Sequence, residues 1–362
     1  MGEVFAGRYE LLEPIGAGGM GTVWLVHDRR DDELRAAKLV RQVDAALLLR
    51  FIRELSTRIE HPHTVVPRGW AGEDDAVLFT MDVVRGGSVH HLIEDFGALP
   101  APWAACLLDQ LLDALDAVHR AGIVHRDVKP ANLLLEPTGR ARPYLRLSDF
   151  GVAVPMHEPR MTAPAVVLGT RGYRAPETAV GADPLPVQDL YGAGVVLAEM
   201  LTGERPEDGL ALPSAPPPRV DPRLWELARA MADPDPGRRP ATAAQAREML
   251  RGTGLVPAPT AAPDDGGAQV EVFEHVHVPG VGAARAPRPT PELPPSPSPA
   301  PPPSPSPSSS PSPAPSPSPV PSRGLSHPQT ATRRPSPLTV IGLLSVGAGG
   351  LVIVLAILML LG

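Results

Sequence analysis

Residues 125–132 read His-Arg-Asp-Val-Lys-Pro-Ala-Asn and lie between a long apolar, helix-like run and a strand-like leucine triplet at 133–135. The octet holds one of the two lysines of the chain, Lys129, and its single asparagine, Asn132; the other lysine is Lys38. Elsewhere arginine supplies the positive charge, although a guanidinium does not replace a compact ammonium at every site. Phosphate and Mg²⁺ chemistry uses both an ammonium and a neutral oxygen ligand. The octet therefore indicates such chemistry.

Four further motifs stand in order around the octet. A glycine-rich stretch and an Ala-Ala-Lys strand precede it, and Asp-Phe-Gly and Ala-Pro-Glu follow it, at 16–23, 36–38, 149–151 and 175–177. The five motifs together resemble the eukaryotic-type serine/threonine protein kinases in the form that bacteria use. The resemblance covers about residues 8–251. It implies an α+β, two-lobed protein kinase fold with a small β-rich N-lobe (8–83) and a larger helical C-lobe (87–251).

The glycine-rich stretch predicts a turn in which backbone N–H groups can approach phosphate oxygens, because glycine has no Cβ atom. Taken alone, it fits a plain β-hairpin turn equally well. The resemblance implies that this turn covers ATP and that the segment after a buried strand at 76–81 forms the hinge against the adenine. The residues assigned to the nucleotide are Ile15, Gly16, Gly18, Gly21, Val23, Ala36, Lys38, Met81, Asp82 and Val83. Met81 fits an ordinary core position as well.

Lys38 is assigned by the resemblance to the α- and β-phosphates of ATP. Residues 44–59 predict an amphipathic helix, since apolar residues recur there every four positions. Glu54 lies beside that apolar stripe in a pattern similar to the family's, so it is interpreted as the carboxylate partner of Lys38. The alternative is a solvated helix carboxylate.

Phosphoryl transfer depends on positioning and charge neutralisation more than on covalent chemistry by the protein. One ammonium cannot balance a triphosphate, so a metal ion is expected, and Asp149 and Asn132 are the oxygen ligands that the motifs bring together. The resemblance implies Mg²⁺ there, with Mn²⁺ as an alternative. It also implies that Asp127 accepts the proton of the attacking hydroxyl and that Lys129 steadies the γ-phosphate. Thr170 would shape the acceptor pocket and is typical of serine/threonine kinases.

Two further positions resemble structural supports of the family. Asp189 opens an apolar helix predicted at 187–201 and resembles the aspartate that accepts hydrogen bonds from the catalytic-loop backbone. Its alternative is an acid that the helix dipole favours in the first turn. Arg239 resembles the partner of Glu177, and that pair is expected to be structural.

Arg126, directly before Asp127, resembles the arrangement in kinases that are activated by a phosphate on the activation loop. The activation loop is taken as residues 152–174, in which Thr162 and Thr170 supply the aliphatic hydroxyls, and Thr170 is already assigned to the acceptor pocket. We therefore predict that Thr162 is the main autophosphorylation site. The alternative is an ordinary loop hydroxyl in a constitutively active kinase.

The composition changes after residue 251. Residues 252–337 are interpreted as a disordered Pro/Ser-rich linker, because 287–322 is mostly proline and serine and cannot bury a core. Valines alternate with other residues at 270–278, which predicts a strand that docks on a partner's sheet edge. His275 and His277 share a face of that strand, but a metal site is not expected there.

Residues 338–362 are uncharged and predominantly apolar. A helix of this length crosses a hydrocarbon core of ~30 Å, so we predict a transmembrane helix at 338–361. The alternative is a buried helix of a soluble domain. Two arginines at 333–334 precede it, which places the kinase domain in the cytoplasm of a single-pass protein of the cell membrane. A small-xxx-small spacing from Ser345 to Gly349 leaves a homodimer open.

The net charge of −7 argues against a nucleic-acid partner, and the first 15 residues lack the apolar core of a signal peptide. The single cysteine, Cys106, fits a reducing compartment. We expect a serine/threonine protein kinase that phosphorylates protein substrates and itself in membrane-associated signalling. Two other function classes stay open: a membrane scaffold whose kinase-like domain binds nucleotide without transfer, and a proline-rich interaction module that the kinase domain regulates.

Overall fold

The structure is a computed structural model that describes residues 3–18, 21–41, 59–74, 76–149, 154–155, 172–205, 211–264 and 266–279. The chain divides into two units, Met1–Leu293 and Pro294–Gly362, and all described residues belong to the first. Several predictions fall outside the described residues. They are Glu54, Thr162, Thr170, residues 44–58 of the helix predicted at 44–59, residues 280–337 of the predicted linker and the transmembrane helix at 338–361.

An antiparallel sheet forms the N-lobe, with strand order β1-β2-β3-β4-β6-β5. The strands are β1 (Val4–Phe5), β2 (Tyr9–Gly18), β3 (Gly21–Asp28), β4 (Glu33–Arg41), β5 (Pro67–Glu73) and β6 (Ala76–Met81). The apolar runs in the sequence predict β2, β3, β4 and β6. The two edge strands carry a weaker signal, because β1 is two residues long and β5 is partly or fully exposed. Since β1 pairs with β2, the sheet begins before the predicted start at residue 8.

Five helices lie in the described part of the C-lobe: α1 (Val89–Phe96), α2 (Ala101–Arg120), α3 (Pro186–Thr202), α4 (Pro222–Met231) and α5 (Ala243–Gly252). Each start has a local cause. Ser88, Asp221 and Thr242 accept a backbone N–H of the first turn of α1, α4 and α5. Proline stands in the first turn of α2, α3 and α4, where no intrahelical N–H is lost.

Helices α2 and α3 form the centre of the C-lobe. Thirteen residues of α2 are buried, and fourteen consecutive residues of α3, from Gln188 to Leu201, are buried. A helix that is buried on all sides is typical of a core position. Cys106 lies in α2, and burial raises the pKa of its thiol to about 11. The two helices therefore give the short loops around them a rigid base.

Two short strand pairings flank those loops. Strand β7 (Ile123–Val124) pairs with β10 (Val154–Pro155), and β8 (Leu133–Leu135) pairs with β9 (Leu145–Leu147). Gln110 of α2 fixes the second pair to the core, because its side chain donates to the carbonyl of Pro143 at 2.8 Å and accepts the N–H of Leu145 at 2.7 Å. The segment 125–132 spans from β7 to β8.

The predicted disordered linker is wrong over its first part. Residues 252–264 and 266–279 are described, and Val270, Val272 and Val278 are buried. The predicted strand at 270–278 forms a bridge between Val272 and Gly139 of the chain's own C-lobe, so docking on a partner's sheet is not required to bury it. The physical reason is the composition: the proline- and serine-rich sequence begins only at residue 287.

The segment between α3 and α4 is rich in proline, and its described part, residues 211–221, contains no helix. Among the described residues of the whole chain, no helix combines the length and the apolar character that a membrane crossing requires.

Candidate active site

Asp189 of α3 fixes the start of the 125–132 segment. Its carboxylate accepts the N–H groups of His125 at 2.8 Å and of Arg126 at 2.6 Å, and His119 Nε2 lies 2.8 Å from the same carboxylate. Burial alone would raise the pKa of Asp189, but the His119 hydrogen bond and nearby positive charge hold it below its usual value. The predicted contact with the catalytic-loop backbone is confirmed. A simple helix-dipole acid does not explain these three contacts.

Two residues of the site, one in the segment 125–132 and one outside it, have an uncommon backbone conformation. Arg126 has φ 67° and Asp149 has φ 65°, in the left-handed region that residues other than glycine rarely occupy. Such residues cost on the order of 1–3 kcal/mol each and persist where the surroundings enforce them. The two donated N–H groups at Asp189 supply that enforcement for Arg126.

Three predicted residues of the octet meet at one carboxylate oxygen. Asp127 Oδ2 accepts from Lys129 Nζ at 2.7 Å and from Asn132 Nδ2 at 2.9 Å. Asn132 Nδ2 also donates to the backbone carbonyl of Asp127 at 2.8 Å. The amide nitrogen of Asn132 is thereby committed to Asp127, which leaves its oxygen Oδ1 as the atom suited to a metal ion. The sequence neighbours thus form one polar cluster.

Ser148 connects this cluster to Asp149. Its N–H and hydroxyl both donate to the carbonyl of Asn132, at 2.9 and 3.0 Å, and its own carbonyl lies 3.0 Å from His125 Nε2. Sequence reasoning assigns no role to Ser148 or to His119. Neither residue belongs to one of the five motifs, and their contacts arise only from the tertiary fold.

Lys38 and Asp149 form the contact between the two lobes at this site. Lys38 lies on β4 opposite Val23 of β3 and Phe79 of β6, and its Nζ donates to Asp149 Oδ1 at 2.6 Å. Burial opposes the ionised carboxylate, but the charge of Lys38 and its hydrogen bond outweigh it, so the pKa of Asp149 is lowered. Two motif residues separated by 111 positions are therefore adjacent.

The described residues of the glycine-rich stretch, 16–18 and 21–23, lie on the paired strands β2 and β3. Gly16 faces Val23, and Gly18 faces Gly21. At Gly21, φ is 141° and a Cβ atom would come within 2.3 Å of the Leu39 carbonyl oxygen. A side chain at this position would displace the strand that carries Lys38.

The remaining residues that are predicted to bind the nucleotide lie on the same sheet and in the segment directly after β6. Ala36 faces Met81 across β4 and β6. Asp82 follows Met81, and its carboxylate accepts from Arg68 at 2.9 and 2.8 Å and from Arg146 at 3.4 Å. These hydrogen bonds lower the pKa of Asp82. The side chain of Asp82 therefore connects β5 of the N-lobe to β9 of the C-lobe, and its backbone is the part that can face a nucleotide.

Asn132 and Asp149 are suited to bind a hard divalent cation that phosphate oxygens also coordinate. Asn132 Oδ1 and the Asp149 carboxylate are oxygen ligands, which Mg²⁺ prefers over nitrogen and sulfur. Within the described residues, no group of three or more His, Cys, Asp or Glu side chains could hold a metal ion alone. Mg²⁺ characteristically uses one or two carboxylates and takes its other ligands from phosphate and water. The donor set therefore suits a metal ion that arrives with a nucleotide.

The predicted pair of Arg239 and Glu177 is confirmed. Two parallel hydrogen bonds join them, at 2.7 and 2.8 Å, and the Arg239 side chain is fully buried. Arg239 also donates to the carbonyls of Asp233 at 2.7 Å and Val187 at 3.0 Å. The pair fixes the segment that follows the predicted activation loop to the base of α3.

Comparisons with known proteins agree with this arrangement. The family described as the protein kinase domain matches residues 9–249. The serine/threonine-protein kinase PkaA of Streptomyces coelicolor is 34% identical over 276 residues, which are 69% of this chain and 50% of that protein. PknA of Mycobacterium tuberculosis is 34% identical over 248 residues, 63% of this chain and 57% of that protein. PrkC of Bacillus subtilis is 34% identical over 214 residues, 58% of this chain and 32% of that protein. The chain thus spans about half the length of the first two.

Proposed function

The chain belongs to the protein kinase domain family, and on this premise we propose that it is an ATP- and Mg²⁺-dependent serine/threonine protein kinase. The single observation that carries the proposal is that the motif residues form one polar pair and one polar group of three. Lys38 contacts Asp149 across the lobes, and Asp127 contacts both Lys129 and Asn132. The names of the relatives support serine and threonine as acceptors.

Each residue of this arrangement has a distinct proposed task. Lys38 binds the α- and β-phosphates, and Asn132 and Asp149 would hold Mg²⁺. That ion would supply neutralisation of phosphate charge when bound. Asp127 orients the acceptor hydroxyl and accepts its proton, with Lys129 beside it to bind the γ-phosphate. Glu54 as partner of Lys38 and Thr170 as part of the acceptor pocket complete the proposal, together with the hairpin and hinge residues predicted to enclose ATP.

A substitution at Lys38 tests the proposal. We expect Lys38→Met to weaken ATP binding at least tenfold and to abolish transfer of labelled γ-phosphate to serine and threonine of a generic acceptor protein. The reason is the loss of an ammonium worth ~4 kcal/mol beside a phosphate at an effective dielectric of 20. Lys38→Arg should fail as well, because a guanidinium does not present a compact point charge. Phosphoamino acid analysis and nucleotide titration measure the two effects.

Arg29→Met is the matched control, since Arg29 is a partly exposed basic residue in the turn between β3 and β4. It should leave transfer and ATP affinity unchanged. Binding of ATP by the wild type without any transfer would favour the scaffold alternative. Absence of both binding and transfer in the wild type would contradict the kinase proposal.

The proposal extends to the membrane. The apolar sequence 338–361 supports a single-pass anchor with the kinase domain in the cytoplasm, and anchoring raises the local concentration of kinase domains. Trans-autophosphorylation of Thr162, with Arg126 as a partner of the phosphate, would then be favoured. A homodimer and the proline-rich tail as an interaction module are compatible with this arrangement. The substrates of the whole protein are proteins with exposed serine or threonine.

Deletion of residues 338–361 tests the anchor and the phosphosite together. We expect cells that express the shortened chain to show less Thr162 phosphorylation than cells with the full chain, because the local concentration falls. Phosphosite mapping by mass spectrometry at matched expression, with cell fractionation, measures both. Equal phosphorylation of Thr162 would contradict the role of anchoring. Modification elsewhere in the loop with Thr162 unmodified would contradict the phosphosite.

A further inference from the structure

The segment 266–279, hereafter the C-terminal strap, is bound to the C-lobe through its backbone. Val272 exchanges two hydrogen bonds with Gly139, at 2.9 and 3.1 Å. The N–H groups of His275 and Val276 both donate to the carbonyl of Arg85, at 2.7 and 3.1 Å. Arg85 belongs to the chain segment that leads from β6 to α1. The strap thus joins the predicted hinge to the loop between β8 and β9.

Side chains reinforce these backbone contacts. Three valines of the strap, Val270, Val272 and Val278, are buried. Arg85 Nη1 donates to Glu274 Oε1 at 2.9 Å, and Arg85 itself is buried. The contact is therefore a charge-assisted hydrogen bond between a buried guanidinium and a carboxylate that is 28% exposed.

Two aromatic contacts place the strap along α1. The ring of His275 stacks on His91 with centroids 4.9 Å apart, and Phe273 stacks on Phe96 at 6.2 Å. Because α1 begins directly after the hinge, the strap contacts both the hinge and the first helix that follows it.

The hinge is shaped to receive the strap. Gly87 has φ 73°, and a Cβ atom there would lie 2.8 Å from the His275 ring. On the other side, the N–H of Gly86 donates to Leu135 at 2.8 Å, and Leu135 donates to the carbonyl of Gly87 at 3.0 Å. The segment 85–87 is therefore held between β8 and the strap.

We propose that the C-terminal strap is an intramolecular docking peptide that holds the hinge in its nucleotide-binding geometry, so that undocking of the strap lowers the affinity for ATP. The inference rests on the proposed nucleotide site at the hinge. Its occupant is the chain's own segment, which is seated there in the structure. Linkage makes the effect reciprocal: ATP bound at the hinge stabilises the docked strap by the same factor.

Residues 280–286 separate the strap from the proline- and serine-rich part of the chain, which begins at residue 287. A partner that binds that part, or a modification of it, would therefore affect the strap before the rest of the kinase domain. Undocking of the strap exposes Val270 and Val272, which are part of the C-lobe core, so a docked strap also contributes to the stability of that lobe. Events in the sequence after the kinase domain would thereby change the affinity for ATP through the strap.

Two matched pairs of substitutions in the full-length, detergent-solubilised protein test this inference. Glu274→Gln removes the charge that pairs with Arg85, whereas Glu271 forms no ion pair with any described residue, so Glu271→Gln is its control. His275→Ala removes the stack on His91, whereas His277→Ala changes an exposed histidine two positions away. A third variant, Val272→Asp, places a charge in the buried valine position.

We expect Glu274→Gln and His275→Ala to raise the Kd of ATP about fivefold and Val272→Asp to raise it further, within the range of roughly 5- to 150-fold that is typical of coupled sites. The two controls should bind as the wild type does. Amide hydrogen exchange at 275 and 276 should be faster in the three variants, and a non-hydrolysable ATP analogue should slow it in the wild type.

The outcomes separate this inference from the proposed function. If the wild type binds ATP and the strap amides exchange rapidly in the variants while the Kd stays constant, the strap does not control the hinge. Unchanged exchange in all three variants would show that these contacts do not hold the strap, which also overturns the inference. A Kd that depends on protein concentration would assign the strap to a second copy instead. Absence of ATP binding in the wild type contradicts the proposed function itself.

Discussion

Replacement of Asp127 by asparagine is expected to lower kcat about 10³-fold, within the range of roughly 10²- to 10⁴-fold that a positioned proton acceptor contributes. Asparagine keeps the shape of the side chain but cannot accept the proton of the attacking hydroxyl. In the wild type, Asp127 Oδ2 accepts hydrogen bonds from both Lys129 and Asn132, and an amide at this position would weaken these contacts. The KM for ATP should change little, because the contact of Lys38 with Asp149 lies outside this cluster.

Steady-state phosphorylation of an acceptor protein at varied ATP concentrations separates kcat from KM. Asp264→Asn is the matched control, because Asp264 is exposed and its described hydrogen bond joins it to the N–H of Gly266. This control should retain full activity. An Asp127→Asn protein that keeps more than a tenth of the wild-type kcat would contradict the assignment of Asp127, and a large rise of KM alone would place the residue in nucleotide binding.

Replacement of Arg239 by alanine is expected to reduce the free energy of unfolding by about 3–5 kcal/mol, the usual cost of removing one partner of a buried ion pair. Glu177 would lose both hydrogen bonds to its charged partner, and three backbone carbonyls would lose a donor. A loss of this size is a large fraction of the roughly 5–15 kcal/mol that stabilises a typical domain. Denaturant unfolding monitored by circular dichroism measures it.

The neighbouring residue supplies the control. The side chain of Arg238 is 74% exposed and lies 3.6 Å from Asp235, so Arg238→Ala should change the unfolding free energy by no more than about 0.5 kcal/mol. The double variant Glu177→Ala with Arg239→Ala should cost less than the sum of the two single changes, because the two side chains contact each other. Equal effects of Arg238→Ala and Arg239→Ala would show that the buried pair does not stabilise the fold.

The sequence predicts most of the sheet and the site because their signals are local and strong. Four strands of the N-lobe are apolar runs, and helices α2 and α3 carry long apolar sequences. The scarcity of lysine and asparagine in the composition is enough to single out Lys38, Lys129 and Asn132. The fold places each of these three residues in a polar contact with an aspartate of the motifs.

The features that the sequence does not predict depend on tertiary contacts. The alternating valines at 270–278 predict a strand, but the sequence does not indicate that the strand docks on Arg85 and Gly139 of the chain's own C-lobe. The composition changes gradually between residue 252 and the proline- and serine-rich sequence at 287, so the predicted start of the linker at 252 is too early. His119 is another example, because a histidine near a helix end indicates nothing until Asp189, 70 positions away, is placed beside it.

The position of Cys106 has a practical consequence for labelling and for inhibitor design. It is the one cysteine in the chain, it is buried in α2, and burial raises its pKa to about 11. Because the thiolate is the reactive form, alkylating reagents should react slowly with the folded protein. Cysteines introduced on the surface can therefore carry fluorophores without removal of the native one, and covalent warheads directed at thiols would have no native target near ATP.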